Sequence, residues 1–389
     1  MMQRPFHFTG AKERIAYIST YPPRECGIAT FTKDLVDSVD LIHEFGPPVV
    51  VAVNEPETIY NYSQRVKFQI ERDSIEDYIQ AAHYINASKV DVVNLQHEFG
   101  LFGGECGEYI NSFLRNLQKP VVTTLHTVRP DFAFKARTVL KTIAHHSSSI
   151  VVMARTALQP LENYDVHSEK ISVIQHGCPD IPFVSSEKVK PSLGLRGRIV
   201  LSTFGLISRG KGIEYAIQAL SPIVEKEPRI LYLIIGETHP EVRRIEGERY
   251  RKKLMKLAGE LGLEEHVRFH NRFLTKRELI KYLQATDIYI TPYIDPYQIS
   301  SGTLIYALGA GKATISTPYL HAKDVLADGR GLFCNFKEPD SIAKCIRQLV
   351  ENEELRKDIE KRVYEYSRKF VWSKVAKAYT ELFRRVVRP

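Results

Sequence analysis

The stretch RIVLSTFGLISRGKGIEYAIQAL (198–220) decides the fold. Its first seven residues are mostly apolar and β-branched, as in a buried strand, and its last nine carry apolar residues at helical spacing. A loop that contains Gly205 and Gly210 joins the two parts. A strand, a short loop and an amphipathic helix in this order predict a βα unit, the building block of a parallel sheet.

The same unit recurs along the whole chain. In the first half the predicted strands are 14–19, 48–53, 91–96, 120–125, 149–154 and 171–175, with helices over 30–39, 74–85 and 107–117 between them. In the second half the strands are 198–204, 229–236, 266–271, 287–292 and 312–317, with helices over 212–226, the basic stretch that ends at Leu261, and 276–286. Eleven strands are too many for one ordinary sheet, so the sequence predicts an α/β protein with two doubly wound, Rossmann-like domains facing a central cleft.

A linker separates the two series of strands. The stretch 178–197 is rich in Pro, Gly, Ser and Lys and has no apolar period. We therefore expect an N-terminal domain over residues 1–182 and a C-terminal domain over 183–370. The helix predicted over 371–388 has Val371, Val375, Tyr379, Leu382 and Phe383 on one face, and we expect that face to pack back on the first domain.

Composition and charge exclude several classes of protein. The 389 residues contain no apolar run near the ~18 residues of a membrane span, and the start MMQRPFHFTG lacks a signal-peptide core. Five scattered cysteines argue against a disulfide framework and favour a cytoplasmic location. The net charge is +8, but no nucleic-acid-binding motif is present, so we expect no nucleic acid partner.

The last 29 residues are strongly basic. From Lys361 to Pro389, nine Lys or Arg stand against two Glu. Weak peripheral contact with anionic lipid at the inner membrane face, aided by Phe370, Trp372 and Phe383, is an alternative to packing on protein. The sequence does not determine the oligomeric state.

Loops that follow strands should carry the chemistry, because ligands of open α/β sheets bind outside the carboxyl ends of the strands. The loop 21–35 leads into a helix whose free N–H groups can bind an anion. The loop 202–217 offers Arg209 and Lys211 to a diphosphate. The loop 291–317 places Gln298, Ser300, Ser301, Gly302 and Thr303 before a helix of small residues.

Histidines follow two strands of the first domain. His126 comes just after strand 120–125 and should face the cleft. His97 and Glu98 follow strand 91–96, where they suit sugar binding, acid–base chemistry or an orienting hydrogen-bonded pair. No pair of histidines has the helical spacing of metal ligands, so we expect no metal site.

At these loops the sequence resembles the retaining GT-B glycosyltransferases of family 4, which transfer hexoses from nucleotide sugars. The resemblance runs through PPRECGIATF, LHT, HGCPD, FGLISRGKG, YLIIGETHP, HVRFHNRF, DIYITPYIDPYQISSG and YALGAGKATIST, in this order. It implies a GT-B fold and catalytic roles for His126 beside the transferred sugar and for Arg209 and Lys211 at the diphosphate. It implies no cofactor, and donor-binding positions at Gly27, Ile28, Gly205, Gln298, Ser300, Ser301, Gly302, Thr303, Leu304 and Tyr306.

The sequence departs from the family at two glutamates and one arginine. The glutamate positions hold Gln298 and Tyr306, neither of which is a carboxylate, and the arginine position holds Leu206, so Arg209 must act from a shifted position. The leading hypothesis is metal-independent, retaining hexosyl transfer from a nucleoside-diphosphate sugar to a hydroxyl of a saccharide or lipid-linked acceptor, with His97 and Glu98 on the acceptor side. The alternatives are a sugar phosphorylase or sugar-phosphate-dependent transferase, a sugar-nucleotide epimerase, and a binding protein without catalysis.

Overall fold

The computed structural model describes residues 12–388, so the first eleven residues of the predicted N-terminal domain lie outside it. Within the described chain the first domain contains a seven-stranded sheet, with β1 (Ile15–Ser19), β2 (Val49–Asn54), β3 (Val66–Glu71), β4 (Val92–His97), β5 (Val121–Leu125), β6 (Ser149–Val152) and β7 (Ile171–Val173). All neighbouring strands pair in parallel, in the order β3-β2-β1-β4-β5-β6-β7.

The second domain has the same kind of sheet. Its six strands, counted over residues 12–388, are β8 (Ile199–Phe204), β9 (Ile230–Ile235), β10 (Val267–His270), β11 (Ile288–Thr291), β12 (Ala313–Ser316) and β13 (Leu332–Phe333). They are parallel and lie in the order β10-β9-β8-β11-β12-β13. The predicted fold class, two doubly wound α/β domains, is confirmed.

Helices connect the strands. Those of the first domain are α1 (Gly27–Asp40), α2 (Ile75–Ala87), α3 (Ile110–Asn116), α4 (Phe134–His146) and α5 (Leu158–Glu162). They are followed by α6 (Ser186–Val189), α7 (Ile213–Val224), α8 (Pro240–Glu246), α9 (Arg249–Glu260), α10 (Lys276–Ala285), α11 (Gly302–Gly309), α12 (Leu320–Val325), α13 (Pro339–Glu351), α14 (Glu353–Ser367) and α15 (Trp372–Val387). No helix of residues 12–388 is long and apolar enough to cross a membrane.

The central strands are buried throughout, because helices cover both faces of each parallel sheet. Two strands escaped prediction for different reasons. Strand β3 has the sequence VKFQIE, with half-exposed residues alternating at the sheet edge, so its apolar content is low. Strand β13 contains two residues, too few for a periodic signal.

Two predicted segments differ in detail from the structure. The basic stretch that ends at Leu261 is two helices, because Gly247 adopts a φ of +60° between α8 and α9. The stretch 178–197 contains the short helix α6 and a 3-10 turn, where the buried Lys190 ammonium contacts Asp287 at 2.7 Å. This ion pair fastens the start of the second domain to its own sheet.

The last helix returns to the first domain. The hydroxyl groups of Tyr379 on α15 and Thr124 on β5 lie 2.9 Å apart, and the Phe383 ring packs edge-on against Tyr17 of β1. The two chain crossings between the domains run side by side, since Cys178 N–H donates to the Phe370 carbonyl. The aromatic side chains that membrane contact would require, Phe370, Trp372 and Phe383, are buried in protein.

Candidate functional site

Loops at the carboxyl ends of the two sheets touch across a cleft. The Ser300 hydroxyl, after β11, donates to the backbone carbonyl of His126, after β5, at 2.8 Å. The Arg129 guanidinium donates to the Asp295 carboxylate at 2.6 Å. The connections change direction beside β1 and β8, the position at which open α/β sheets bind ligands. This cleft is therefore the candidate site.

Lys211 begins a chain of hydrogen bonds that ends at the start of α11. Its ammonium donates to the Tyr293 hydroxyl at 2.8 Å, and that hydroxyl lies 2.7 Å from the Thr303 hydroxyl. The Ser301 side chain caps the helix by accepting from Leu304 N–H. The first-turn N–H groups of a helix have no partner within the helix and carry partial positive charge. Lys211 and α11 therefore form one anion-binding corner, which we call the cradle.

Glycines allow the loops of the cradle to approach each other. Gly212 has a φ of +61°, and a Cβ there would lie 2.1 Å from the Pro292 carbonyl oxygen. Gly205 has a φ of +123°, and its Cβ would lie 3.1 Å from the methyl group of Thr303. Any side chain at Gly212 would push the Lys211 turn away from the loop that follows β11.

The charge of Lys211 has no acidic partner. No carboxylate of residues 12–388 lies within 4.0 Å of its ammonium group. Burial alone would raise the pKa of Tyr293, but the Lys211 charge and hydrogen bonds from Lys211, Thr303 and Ser301 lower it below its ordinary value. The surroundings of the Tyr293 hydroxyl are thus electropositive.

Arg209 lies elsewhere, contrary to the prediction. Its guanidinium donates to Glu246 of α8 at 2.6 Å and its side chain is 54% exposed. The 3-10 turn Arg209–Lys211 directs the two cations to different surroundings. Sequence spacing placed them together, whereas the partner Glu246, 37 residues away, holds Arg209 on the solvent side.

His126 is buried on the facing domain and fixed in one tautomer. Asn94 donates to the Val122 carbonyl, Gln96 donates to the Asn94 side-chain oxygen at 2.6 Å, and Gln96 Oε1 lies 2.8 Å from His126 Nε2. Since the Gln96 oxygen can only accept, Nε2 carries the proton and Nδ1 is left as an acceptor. Burial, with smaller contributions from His176 and His97, lowers the pKa of His126 to about 3. The ring is neutral at pH 7.

Two further histidines support the start of α11. His321 Nδ1 accepts from Ser301 N–H at 2.8 Å. A Cβ on Gly302 would lie 2.7 Å from His176 Nε2, so this ring packs directly against the helix N-terminus. Neither was among the predicted site residues. His176 lies in the HGCPD motif, close after β7, so its position at a strand end was the available signal.

Gln298 and Tyr306, which replace the two glutamates of the family, form hydrogen bonds within the protein. Gln298 donates through its amide to the Ser300 carbonyl at 2.6 Å. The Tyr306 hydroxyl donates to Asp34 of α1 at 2.7 Å, and the Lys276 ammonium contacts the same carboxylate at 2.8 Å. Asp34, missed by the sequence analysis, is a buried carboxylate that reaches this end of the cleft from the opposite domain.

His97 and Glu98 are not placed as ligand contacts. The His97 ring is fully buried, stacked on Phe102 and edge-on to Phe99. The Glu98 carboxylate accepts from Thr127 Oγ1 and from its neighbour's N–H, so it caps a 3-10 turn. The prediction of acceptor-binding side chains fails here, because a strand-end position does not guarantee access to the cleft.

The remaining predicted donor-binding positions are Gly27, Ile28 and Leu304. Helix α1 begins at Gly27, where a Cβ would meet no atom within 4 Å. The Ile28 side chain is partly buried against the first-domain core. Leu304 is fully buried, so only its backbone groups are available to a ligand. In the part of the chain that the structure describes, no three His, Cys, Asp or Glu side chains are grouped as a metal site.

Known proteins resemble this chain in sequence over part of its length. Residues 185–366 match the family described as glycosyl transferases group 1. An uncharacterized glycosyltransferase of Methanocaldococcus jannaschii is 28% identical over 260 residues, which are 65% of this chain and 62% of that protein. A D-inositol 3-phosphate glycosyltransferase of Corynebacterium urealyticum is 26% identical over 57% of this chain and 53% of its own length. These matches span less than two thirds of either relative.

Solved structures share the complete two-domain fold. Sucrose-phosphate synthase from Thermosynechococcus elongatus superposes with a TM-score of 0.79 at 16% identity, covering 96% of this chain and 99% of that chain. Anabaena HepE, crystallised with UDP and glucose, superposes with a TM-score of 0.74 at 15% identity over 96% of this chain and 100% of that chain. The protein therefore has the GT-B fold, as predicted. Residues 185–366 lie in its second domain, so the match to group 1 glycosyl transferases confirms the expected resemblance there.

Proposed function

We propose that the protein is a retaining, metal-independent hexosyltransferase that moves a sugar from a nucleoside-diphosphate sugar to an acceptor hydroxyl. The cradle carries the proposal. An ammonium group without a carboxylate partner, a helix N-terminus and two hydroxyl groups converge on one corner of the cleft, opposite the neutral ring of His126. The Anabaena HepE structures, which contain UDP with glucose or UDP-glucose, support a nucleoside diphosphate as the ligand.

The chemistry follows from the charges. As the bond between the sugar and the diphosphate breaks, negative charge develops on the leaving oxygen, and Lys211 with the start of α11 stabilises it. These groups supply the positive charge that a divalent metal provides in other enzymes. His126 has a pKa near 3, too low for it to remove the acceptor proton at neutral pH. A leaving-group oxygen takes that proton in a front-face attack, which retains the configuration of the sugar.

The epimerase alternative finds no support in the cleft. It needs carboxylates free for acid–base work, and the sequence offered mainly Glu98 and Asp295. Both are engaged, Glu98 as a cap on its own turn and Asp295 with Arg129. The phosphorylase alternative uses the same cradle for inorganic phosphate, so the experiment includes a phosphate arm.

The test is the Lys211→Ala variant, with Arg209→Ala as its matched control. The assay measures nucleoside diphosphate release from a panel of nucleoside-diphosphate hexoses, and phosphate-dependent cleavage of disaccharides in parallel. We expect Lys211→Ala to lower kcat/KM at least about 100-fold, equivalent to about 2.7 kcal/mol of transition-state stabilisation. Arg209→Ala removes the same charge from a surface ion pair and should cost less than about threefold.

The two variants also give the refuting results. Near-normal turnover by Lys211→Ala, with an unchanged thermal unfolding midpoint, contradicts the role of the cradle. Equal losses in both variants would show that general surface charge, rather than the cradle, governs donor binding. Phosphate-dependent cleavage without turnover of any nucleotide sugar would favour the phosphorylase.

A further inference from the structure

A cavity of about 530 Å³ adjoins the cradle between the two domains. The first domain contributes the loop after β2 and the turn after β3, and the second contributes the start of α8. The connection to the cradle is direct, since His239 N–H, immediately before α8, donates to the Ile207 carbonyl of the Lys211 loop at 2.9 Å. The cavity therefore lies beside the loop that carries Lys211.

The charged side chains of the cavity are balanced. Among the described residues its lining contains three arginines and three carboxylates: Arg72, Arg243, Arg244, Glu55, Asp73 and Glu241. Arg72 holds Asp73 through two hydrogen bonds of 2.9 and 3.2 Å, and Arg244 holds Glu241 at 2.8 Å. Hydrogen bonds from these arginines lower the pKa of both carboxyls below their ordinary values. Each of these carboxylates is ionised and paired.

The neighbouring cations are also paired. The Arg24 side chain is almost buried and contacts Glu55 at 3.1 Å, and Arg243 contacts Glu237 at 3.0 Å. Nearby, burial and the Glu237 charge raise the pKa of Glu25. With Glu25, Glu237 and Arg24 included, the cluster holds five carboxylates against four arginines, so it offers no excess of positive charge to a phosphate. Lys211 lies four residues after Ile207 and differs from these arginines, because its ammonium group has no carboxylate partner among residues 12–388.

A second cavity of about 430 Å³ shares Arg72 and Asp73 with the first. Its other walls are the aromatic residues Phe99 and Phe102 and a glycine-rich segment. Gly103 is required there, since a Cβ would lie 2.1 Å from the Arg72 carbonyl oxygen. Paired guanidinium and carboxylate groups beside aromatic rings match a sugar, whose hydroxyls both donate and accept and whose C–H face is apolar.

We infer that these cavities bind an uncharged saccharide as acceptor, rather than a phosphorylated one. The inference rests on the proposed function. A phosphate dianion there would lie beside the carboxylates that already neutralise these arginines, so it would gain less electrostatic attraction than at a cation without such a partner. A sugar hydroxyl can donate to the carboxylate and accept from the guanidinium of an intact ion pair. The chain therefore differs from the relatives named above for inositol 3-phosphate and sucrose phosphate.

The experiment uses the full-length protein, the donor found in the release assay, and acceptors in matched pairs. The pairs are glucose and glucose 6-phosphate, mannose and mannose 6-phosphate, and myo-inositol and inositol 3-phosphate, with maltose as a longer neutral saccharide. Transfer is followed by mass spectrometry of the product, and binding by protection against thermal unfolding. Donor hydrolysis without acceptor is measured separately, so failure of the proposed function is seen before any acceptor is added.

We expect transfer to, or protection by, neutral saccharides, with kcat/KM for the neutral member of a pair at least about tenfold above its phosphorylated partner. Asp73→Asn frees Arg72 and should shift the preference towards the phosphorylated member by about fivefold, the size of one partly exposed charge pair. Asp165→Asn makes the same charge change on an exposed ion pair with Lys141 and should leave the preference unchanged. A wild-type preference for phosphorylated acceptors, or no response to any neutral saccharide, overturns the inference.

Discussion

Acidification should destabilise this protein through its buried histidines. In the described chain four of them, His97, His126, His176 and His321, are buried at the centre of the molecule. Burial is the largest cause in each case and lowers their pKa values to about 3, 3, 4 and 3 respectively. In the unfolded chain the same groups titrate near 6.5. Between these values the unfolded state binds protons that the native state excludes.

The sign and size of the effect follow from linkage. Because the folded pKa values are depressed, stability is complete above the unfolded pKa and is lost as pH falls below it. From pH 7.5 to 5.5 each histidine costs about 1.4 kcal/mol, a loss set by the unfolded pKa since all four folded values lie below 5.5. Together they remove about 5 kcal/mol, comparable with the whole stability of many proteins, about 5–15 kcal/mol.

The measurement is guanidinium unfolding at pH 7.5, 6.5 and 5.5, followed by fluorescence of Trp372, the single tryptophan, which packs on His176. His97→Phe should remove about a quarter of the pH dependence without loss of stability at pH 7.5. Its ring lies among phenylalanines, and neither of its nitrogens has a hydrogen-bond partner in the described residues. His167→Gln changes an exposed histidine and is the control. A free energy of unfolding that does not change with pH, or an unaltered slope in His97→Phe, refutes this reasoning.

Three substitutions test the cleft itself. Gln298→Glu should lower kcat/KM at least about tenfold, because a carboxylate there would face a backbone carbonyl instead of donating to it. Tyr306→Phe should lower the free energy of unfolding by about 1–3 kcal/mol, since buried Asp34 loses a hydrogen bond; unchanged chemical denaturation would contradict this contact. Gly302→Ala places a methyl group 2.7 Å from His176 Nε2, so loss of nucleotide-induced thermal stabilisation is expected, and normal stabilisation would show that the helix N-terminus is not the binding group.

The fold was predictable because its signal is local and repeated. Most buried strands of four to six residues are rich in apolar or β-branched residues and are followed by a loop and a helix. The switch-point rule then places loops such as 202–217 and 291–317 in one cleft. Strand β3 lacked that signal because half its residues face solvent at the edge of the sheet.

The side-chain partners were not predictable, because they depend on long-range contacts. Asp34 reads as one polar residue of an amphipathic helix, yet its partners Lys276 and Tyr306 are 242 and 272 residues away. Arg209 and Lys211 are two residues apart and both positively charged, yet Arg209 contacts Glu246 whereas Lys211 contacts Tyr293. The order of strands and helices along the sequence predicts which loops meet. The direction of each side chain depends on contacts with residues far away in the sequence.

The cradle and the adjoining cavity differ in how their positive charges are paired. Lys211 is the cation without a carboxylate partner beside the start of α11, while the arginines of the adjoining cavity each hold a carboxylate. Under the proposed function, an anionic leaving group is favoured at the first position and a neutral hydroxyl compound at the second. Because the cradle belongs to one domain and much of the cavity to the other, the proposed reaction would bring together a donor held by the second domain and an acceptor held largely by the first. In this proposal the orientation of the two substrates follows from the charges at the two ends of the cleft rather than from any single recognition residue.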